Sequence, residues 1–189
     1  GRPGPVVLDF AKNAQTALIE YEPQTVDFIR SYNPVPTPEQ SAIEKAAELI
    51  NQSVKPLMLV GQGVEIAGAR EELLALAEKA QIPFGQTMLG LSAAPTSHPL
   101  NMGMLGMHGN LAPNVMTNQC DLLIAVGMRF DDRVTGDLHT YAKQAKVIHF
   151  EIDPSEVGKI VKPTVAVLGD CKQTLAQVTE LVQETRHQA

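Results

Sequence analysis

The chain has 189 residues, and its 15 Lys and Arg against 21 Asp and Glu give a formal net charge of −6. It contains no basic tract and no run of roughly 20 apolar residues, so nucleic acid and membranes are poor candidates for partners. No signal-peptide pattern is visible, and its two cysteines, Cys120 and Cys171, lack metal-ligand spacing. We therefore expect a cytoplasmic protein in which both cysteines are small buried residues without a disulfide.

The start of the chain is unusual. It opens on Gly1-Arg2-Pro3-Gly4-Pro5 without an initiator methionine and runs directly into a strand-like sequence. From this we expect the 189 residues to form a single domain that is a fragment of a longer polypeptide. Native processing of a precursor is the alternative explanation.

Short apolar runs bounded by polar or turn residues predict strands along the chain. The predicted strands cover residues 6–10, 56–60, 83–87, 122–126, 147–152 and 165–168. The run at 122–126, LLIAV, is apolar throughout, which indicates a strand buried on both faces. Residues 11–36 and 88–109 are interrupted by prolines and read as irregular connections.

Helices are predicted between these strands. The first has Thr37 as its N-cap and Pro38 at its first position, and its apolar face comprises Ile43, Ala46, Ala47 and Ile50. Further helices are predicted over residues 69–80, from near Pro113, in a short stretch capped by Asp153, and from 172 to about 185. The alternation predicts an α/β fold: a Rossmann-like, about six-stranded, mostly parallel sheet with helices on both faces.

The turn Gly61-Gln62-Gly63 stands where a dinucleotide-binding turn would, after a strand and before a helix. The full fingerprint, G-x-G-x-x-G, is incomplete because Ile66 occupies the third glycine position. No acidic residue ends the next predicted strand, where Gln86 and Thr87 stand, which argues against the usual NAD ribose contact. From these residues alone, a tight turn without a ligand is the favoured interpretation.

The stretch 103–136 carries the densest set of candidate functional residues. The stretch begins with the Gly- and Met-rich loop GMLGMHG at 103–109, and Arg129, Asp131 and Arg133 follow the strand predicted at 122–126. Ligands of open α/β sheets bind beyond the carboxyl ends of strands, and arginine forks suit phosphate or carboxylate. A solvated turn with internal Arg–Asp pairs is an equal alternative on spacing alone.

Three strings carry a family resemblance. GRPGPV at 1–6, GMLGMHG at 103–109 and CDLLIAVGMRFDDRVTG at 120–136 resemble the middle domain of acetohydroxyacid synthase (acetolactate synthase) catalytic subunits. The resemblance extends from Gly1 to about Asp170 and implies a Rossmann-like domain that binds FAD as a structural cofactor. The residues that it implies for FAD contact are Arg2, Gly61, Gln62, Gly63, Thr87, Met88, Met107, His108, Gly127, Arg129, Asp131, Arg133, Val134, Glu151, Ile152, Gly169 and Asp170.

The resemblance also assigns parts of the cofactor and substrate to these residues. Arg2 and Arg129 would neutralise the pyrophosphate, and the residues 151–152 and 169–170 would hold the adenosine end. The mouth of the active site would be lined by Met107, His108 and Arg133, with Arg133 on the carboxylate of the second 2-ketoacid. The side chain of Gln62 departs from the small residue that is usual in this glycine turn.

The family implied by these strings condenses two pyruvates, or pyruvate and 2-ketobutyrate, with release of CO2. The products, 2-acetolactate or 2-aceto-2-hydroxybutyrate, begin branched-chain amino acid biosynthesis. Thiamine diphosphate and Mg²⁺ would bind in flanking domains, because their motifs do not occur here. We therefore expect no catalytic residue and no metal site in this chain, and no synthase activity from it alone.

The resemblance implies partners as well: the flanking thiamine-diphosphate-binding domains of the same chain, further copies in a homodimer or tetramer, and a small regulatory subunit. Two alternatives stay open. One is the central domain of another thiamine-diphosphate enzyme, such as glyoxylate carboligase, pyruvate oxidase or oxalyl-CoA decarboxylase. The other is a free-standing nucleotide-binding module without catalysis. The string Asp131-Asp132-Arg133 together with GMLGMHG favours the synthase.

Overall fold

Six parallel strands form one sheet in the computed structural model, which describes residues 1–23, 25, 29–30 and 32–184. The strands are β1 (Pro56–Val60), β2 (Phe84–Gln86), β3 (Asn101–Met104), β4 (Leu122–Val126), β5 (Lys146–Glu151) and β6 (Val165–Leu168). Their order is β3-β2-β1-β4-β5-β6, and each neighbouring pair is parallel. This order is that of a Rossmann fold, so the predicted fold class is confirmed.

The helices of the described residues connect these strands. They are α1 (Lys12–Thr16), α2 (Gln40–Gln52), α3 (Gln62–Ile66), α4 (Arg70–Ala80), α5 (Leu111–Thr117), α6 (Asp132–Thr135) and α7 (Cys171–Leu181), with a 3-10 turn at Met88–Gly90. The predicted apolar face of α2 is buried in full. In this part of the chain no helix is long and apolar enough to cross a membrane.

The two faces of the sheet are covered by different kinds of structure. The helices α2, α4 and α7 pack on the face that carries Met58, Ile124 and Phe150. The opposite face, which carries Leu59 and Leu123, is covered by α5 and the largely irregular residues 128–145. Because neighbouring residues of a strand point to opposite faces, β1 and β4 are apolar along their whole length.

The set of strands differs from the prediction at two places. The strand predicted at residues 6–10 is wrong: these residues form no regular structure, and the side chain of Val7 is 89% exposed. A β-branched run becomes a strand only where a neighbouring strand pairs with it, and this run has none in the sheet. The second difference is the edge strand β3, which lies within residues 88–109, where the sequence predicts an irregular connection. Its pairing with β2 is irregular.

Helix ends also differ from the prediction. The α2 helix begins after Glu39 without a side-chain cap, so Thr37 is not its N-cap. The residues after Asp153 form turns, because its carboxylate accepts from the amide of Ser155 at 2.9 Å and from its hydroxyl at 2.7 Å. The α7 helix ends at Leu181, and residue 185, its predicted end, lies outside the described residues.

Candidate functional site

A cleft of about 600 Å³ opens at the carboxyl edge of the sheet, between the ends of β1 and β4. From β1 the chain proceeds to β2 on one side, and from β4 it proceeds to β5 on the other. The strand order therefore reverses at this cleft, which is where open α/β sheets bind their ligands. The volume is typical of small-molecule and cofactor sites.

The cleft brings together all but one of the residues predicted to contact the cofactor. Those that line it are Arg2, Gly61, Gln62, Gly63, Thr87, Met88, Met107, His108, Gly127, Arg129, Asp131, Arg133, Val134, Glu151, Ile152 and Asp170. The exception is Gly169, which is buried beside the cleft. A Cβ at Gly169 would lie 2.9 Å from the side chain of Thr174 and 3.4 Å from the carbonyl oxygen of Pro36.

The glycine turn after β1 packs directly on the turn after β4. The amide of Gly63 donates to the carbonyl oxygen of Gly127 at 3.0 Å, and the amide of Gly61 donates to that of Val126 at 2.9 Å. A Cβ on Gly61 would lie only 2.3 Å from the carbonyl oxygen of Gly127. The contact between the two loops therefore requires glycine here whether or not a ligand binds.

Thr87 and Met88 form one wall of the cleft, the Thr87–Met88 wall. Gln86, which is 2% exposed, stabilises this wall through buried hydrogen bonds. Its amide nitrogen donates to the carbonyl oxygen of Gly90 at 2.9 Å, and its oxygen accepts from Asn101 at 2.8 Å. Gln86 stands at the strand end where NAD-binding folds place an acidic ribose ligand. Because its amide is used internally, it supplies no such contact.

The loop that carries Met107 and His108 is fixed by an asparagine of α5. Asn114 donates to the carbonyl oxygen of Gly106 and accepts from its amide, both at 2.9 Å. The amide of Met107 donates to the carbonyl oxygen of Arg133 at 2.8 Å, which joins this loop to α6. Met107 and His108 are exposed at the rim of the cleft.

The charged residues after β4 form loose ion pairs. Arg129 lies 3.6 Å from Asp131, and Arg133 lies 3.9 Å from Asp132 with both side chains mostly exposed. The carboxylate of Asp131 also caps α6 by accepting from the amide of Arg133 at 3.1 Å. Exposed pairs of this kind contribute little to stability, so the guanidinium groups keep donors available for an anion.

Two carboxylates lie at the other end of the cleft, after β5 and β6. Glu151 is 7% exposed, and its Oε1 accepts from the amides of Ile152 at 2.9 Å and Asp153 at 3.2 Å. Asp170 caps α7 by accepting from the amide of Lys172 at 2.9 Å. Ionised carboxylates are acceptors only, so this end suits a ligand that presents hydroxyl or amino donors.

Motif reasoning missed the apolar and sulfur-containing part of the lining. It consists of Ile66, Leu89, Met104, Leu105, Met128, Phe130 and Cys171, with Ala67 and the chain start at Gly1 and Pro3. Apolar residues carry no sequence signal that separates a cleft wall from the core. Phe130 is nevertheless unusual, because it is buried with a backbone φ of 57°, a region that bulky residues rarely adopt.

Cys171 lines the cleft as a largely buried thiol. Burial, reinforced by the nearby carboxylates of Glu151 and Asp170, raises the pKa of its thiol to about 12. Cys120 is likewise free and buried, which confirms the prediction for both cysteines. Within the described residues, no group of three or more His, Cys, Asp or Glu is arranged to hold a metal ion.

A family model described as the central domain of thiamine pyrophosphate enzymes matches residues 43–178. The chain belongs to this thiamine pyrophosphate enzyme central-domain family. A solved structure of a candidate thiamin diphosphate-dependent enzyme from Mycobacterium smegmatis superposes with a TM-score of 0.67 and 25% identity. The superposition covers 83% of this chain and 30% of that one, so the central-domain fold is shared.

Similar sequences identify which members of the family this central domain resembles. It is 46% identical over 187 residues to the acetolactate synthase large subunit of Corynebacterium glutamicum, covering 98% of the chain. It is also 46% identical over 184 residues to that of Parasynechococcus marenigrum, covering 96% of the chain. The chain spans only 30% of the length of each of these relatives. The predicted resemblance is thereby confirmed.

Proposed function

We propose that this chain is the central domain of an acetolactate synthase large subunit, in which it binds FAD and forms part of the substrate channel. The observation that carries the proposal is the 46% identity to such a subunit over 98% of the chain. The activity belongs to a longer polypeptide, in which the 189 residues would be one domain. The isolated chain has no synthase activity under this proposal.

The donors and acceptors of the cleft fit FAD. Arg2 and Arg129 line it with guanidinium groups suited to a diphosphate. Glu151 and Asp170 offer carboxylate oxygens that accept from ribose hydroxyls or an adenine amine. The volume of about 600 Å³ and the apolar lining are those of a cofactor pocket. FAD would serve here as a structural cofactor and would carry no hydride in the net reaction.

The substrate role falls to the rim of the cleft. Arg133 is largely exposed, and its partner Asp132 lies 3.9 Å away, so its guanidinium can exchange that contact for a substrate carboxylate. Met107 and His108 lie on the same rim, tied to Arg133 through the hydrogen bond of the Met107 amide. Together they would hold the second 2-ketoacid, pyruvate or 2-ketobutyrate, at the mouth of the active site.

The remaining parts of the enzyme lie outside this chain. Thiamine diphosphate with Mg²⁺, held by flanking domains, supplies the decarboxylation of pyruvate and the new carbon–carbon bond that yields 2-acetolactate or 2-aceto-2-hydroxybutyrate. We expect the complete subunit to assemble as a homodimer or tetramer with a small regulatory subunit. We also expect it to act in the cytoplasm, where reduced thiols such as Cys120 and Cys171 persist.

The test begins with the polypeptide that carries this sequence in its source cells. An antibody raised against the chain should detect a band several-fold heavier than the 189-residue chain. The captured polypeptide, supplied with thiamine diphosphate, Mg²⁺ and FAD, should convert pyruvate to acetolactate with release of CO2, and the isolated chain should not. A band at the size of the chain, or carboligation by the isolated chain, would contradict the proposal. Consumption of glyoxylate or oxalyl-CoA in place of pyruvate would favour another thiamine-diphosphate enzyme.

A further inference from the structure

A buried histidine lies directly behind the cleft and does not line it. His149 is in β5, is 0% exposed, and points to the same face of the sheet as Val147 and Glu151. Its Nε2 lies 2.7 Å from the carbonyl oxygen of Met128 and 3.6 Å from Oε2 of Glu151. One imidazole nitrogen thus faces both the turn after β4 and the carboxylate at the end of β5.

The contact with Met128 defines which nitrogen carries the hydrogen. A carbonyl oxygen only accepts, so Nε2 carries a hydrogen and donates, and in the neutral ring Nδ1 is then the acceptor. Nδ1 is buried without a hydrogen-bond partner among the described residues. An unpaired buried acceptor lowers the stability of the fold, so an apolar side chain would be more stable at this position. The presence of histidine therefore indicates that its Nε2 hydrogen bond has a role.

The turn that receives this hydrogen bond is strained. Phe130 has a backbone φ of 57°, and its ring packs edge-on against the imidazole of His149 with centroids 5.1 Å apart. A strained backbone conformation persists only where the surrounding structure enforces it. Here the hydrogen bond of His149 to Met128 and its ring contact with Phe130 hold the turn in this conformation. The same turn presents Arg129 and Asp131 to the cleft.

On the other side, His149 restrains the carboxylate of Glu151. Oε1 is committed to two backbone amides, and Oε2 is turned toward Nε2 of His149. The 3.6 Å separation is too long for a hydrogen bond, so the carboxylate is attracted only by the positive end of the Nε2–H dipole. The imidazole therefore acts on both walls of the cleft, the one with the arginine and the one with the carboxylate.

We propose that His149 is a positioning residue. It fixes the Met128–Asp131 turn and the Glu151 carboxylate relative to each other, so that one elongated ligand contacts both. Where that ligand is FAD, the inference rests on the proposed function. His149 touches neither substrate nor cofactor. It acts through the backbone of Met128, the ring of Phe130 and the carboxylate of Glu151.

The test compares three variants of the 189-residue chain. His149→Leu removes the donor, and His149→Gln keeps an N–H at a similar reach. Val147→Ala is the matched control, because it perturbs the same face of β5 at a buried position away from the cleft. Each is titrated with FAD by flavin fluorescence. We expect the Kd to rise about tenfold for His149→Leu, to change less than about threefold for His149→Gln, and to stay within about twofold for Val147→Ala.

A second measurement needs no ligand. In ¹⁵N NMR spectra the His149 ring should show a protonated Nε2 and an unprotonated Nδ1. The backbone signals of residues 128–131, including those that report the positive φ of Phe130, should shift in His149→Leu and stay in place in Val147→Ala. Unmoved signals, or an affinity for FAD that His149→Leu leaves within twofold, would overturn the inference. If the wild-type chain alone binds no FAD, the same three variants are titrated in the complete large subunit, where absence of FAD binding would contradict the cofactor proposal, while the NMR result still decides the role of His149.

Discussion

The backbones of Gly63 and Gly127 touch, so that a Cβ on Gly127 would lie 2.7 Å from the Cα of Gly63, and a Cβ on Gly63 would lie 2.6 Å from the Cα of Gly127. Gly127 also has a φ of 57°, which side chains rarely adopt. The floor of the cleft is therefore a junction of two loops that have no room for a methyl group.

Gly63→Ala should destabilise the fold. A methyl group against backbone atoms forces the two loops apart, and overpacking of this kind costs about 1–3 kcal/mol. The free energy of unfolding from urea titration measures the loss. Gly4→Ala is the control, because a Cβ there has no atom within 4 Å and should leave stability unchanged. Equal stability of the two variants would mean that the loops separate without cost.

Gln86→Leu should destabilise the Thr87–Met88 wall. The substitution removes the hydrogen bonds of Gln86 with Gly90 and Asn101, each worth about 0.5–1.5 kcal/mol, while Gly90 keeps the amide of Ala93 and Asn101 keeps the carbonyl oxygen of Pro95. Gln177→Leu, at an exposed position of α7, should change the free energy of unfolding by less than about 0.5 kcal/mol. A similar small change for Gln86→Leu would show that water replaces the lost hydrogen bonds.

The two buried thiols should make the fold sensitive to alkaline pH. Burial raises the pKa of Cys120 and of Cys171 from 9.0 to about 12. Between those values the unfolded chain loses the thiol protons and the folded chain keeps them, so the stability falls as pH rises. The contribution is complete below pH 9 and declines above it, by about 1.4 kcal/mol per pH unit for each thiol.

Urea titrations at pH 8 and at pH 10 test this dependence. The decrease in the free energy of unfolding should be smaller in the variant that combines Cys120→Ala with Cys171→Ala, since only the unfolded thiols titrate in this range. At neutral pH both thiols should react with a disulfide reagent far more slowly than in urea. Rapid modification of the folded chain would contradict the buried, neutral thiols.

Arg133→Ala should separate substrate binding from cofactor binding in the complete synthase. If Arg133 binds the 2-ketoacid as proposed, loss of the guanidinium removes a charged hydrogen bond and should reduce acetolactate formation by about 10- to 100-fold. The bound FAD should stay within about twofold of the wild-type level. Lys143→Ala, an exposed cation outside the cleft, serves as the control. Loss of FAD with normal kinetics after reconstitution would contradict the substrate role.

The strands that the sequence predicts best are those whose burial is visible in composition. The run at 122–126 is apolar because β4 is covered on both faces, and this needs no knowledge of its neighbours. The edge strand β3, Asn101–Met104, is short, only partly buried and contains glycine, and only its pairing with β2 makes it a strand. Residues 6–10 show the reverse, since they have the composition of a strand but no partner.

The residues of the candidate site also differ in how well the sequence predicts them. Its glycines and charged residues follow from motifs and a family resemblance, because phosphate and carboxylate chemistry restricts the residue types. The apolar wall around Met104 and Phe130 cannot be predicted from motifs, because nothing in the sequence distinguishes its residues from those of the hydrophobic core. The supporting hydrogen bonds of Gln86 and Asn114 span only four and eight residues, but they are made to the backbone of irregular loops, whose conformation no periodic sequence pattern predicts.

The order of the strands has a consequence for synthesis on the ribosome. β1 pairs with β2 and with β4, but β4 is translated more than 60 residues after β1. At about 5–20 residues per second, one edge of this central apolar strand stays open for several seconds. An open strand edge is a template for wrong pairing, so the nascent chain is most vulnerable to aggregation in that interval. The cleft at the carboxyl edge of the sheet is also incomplete until residues 151–170 have emerged.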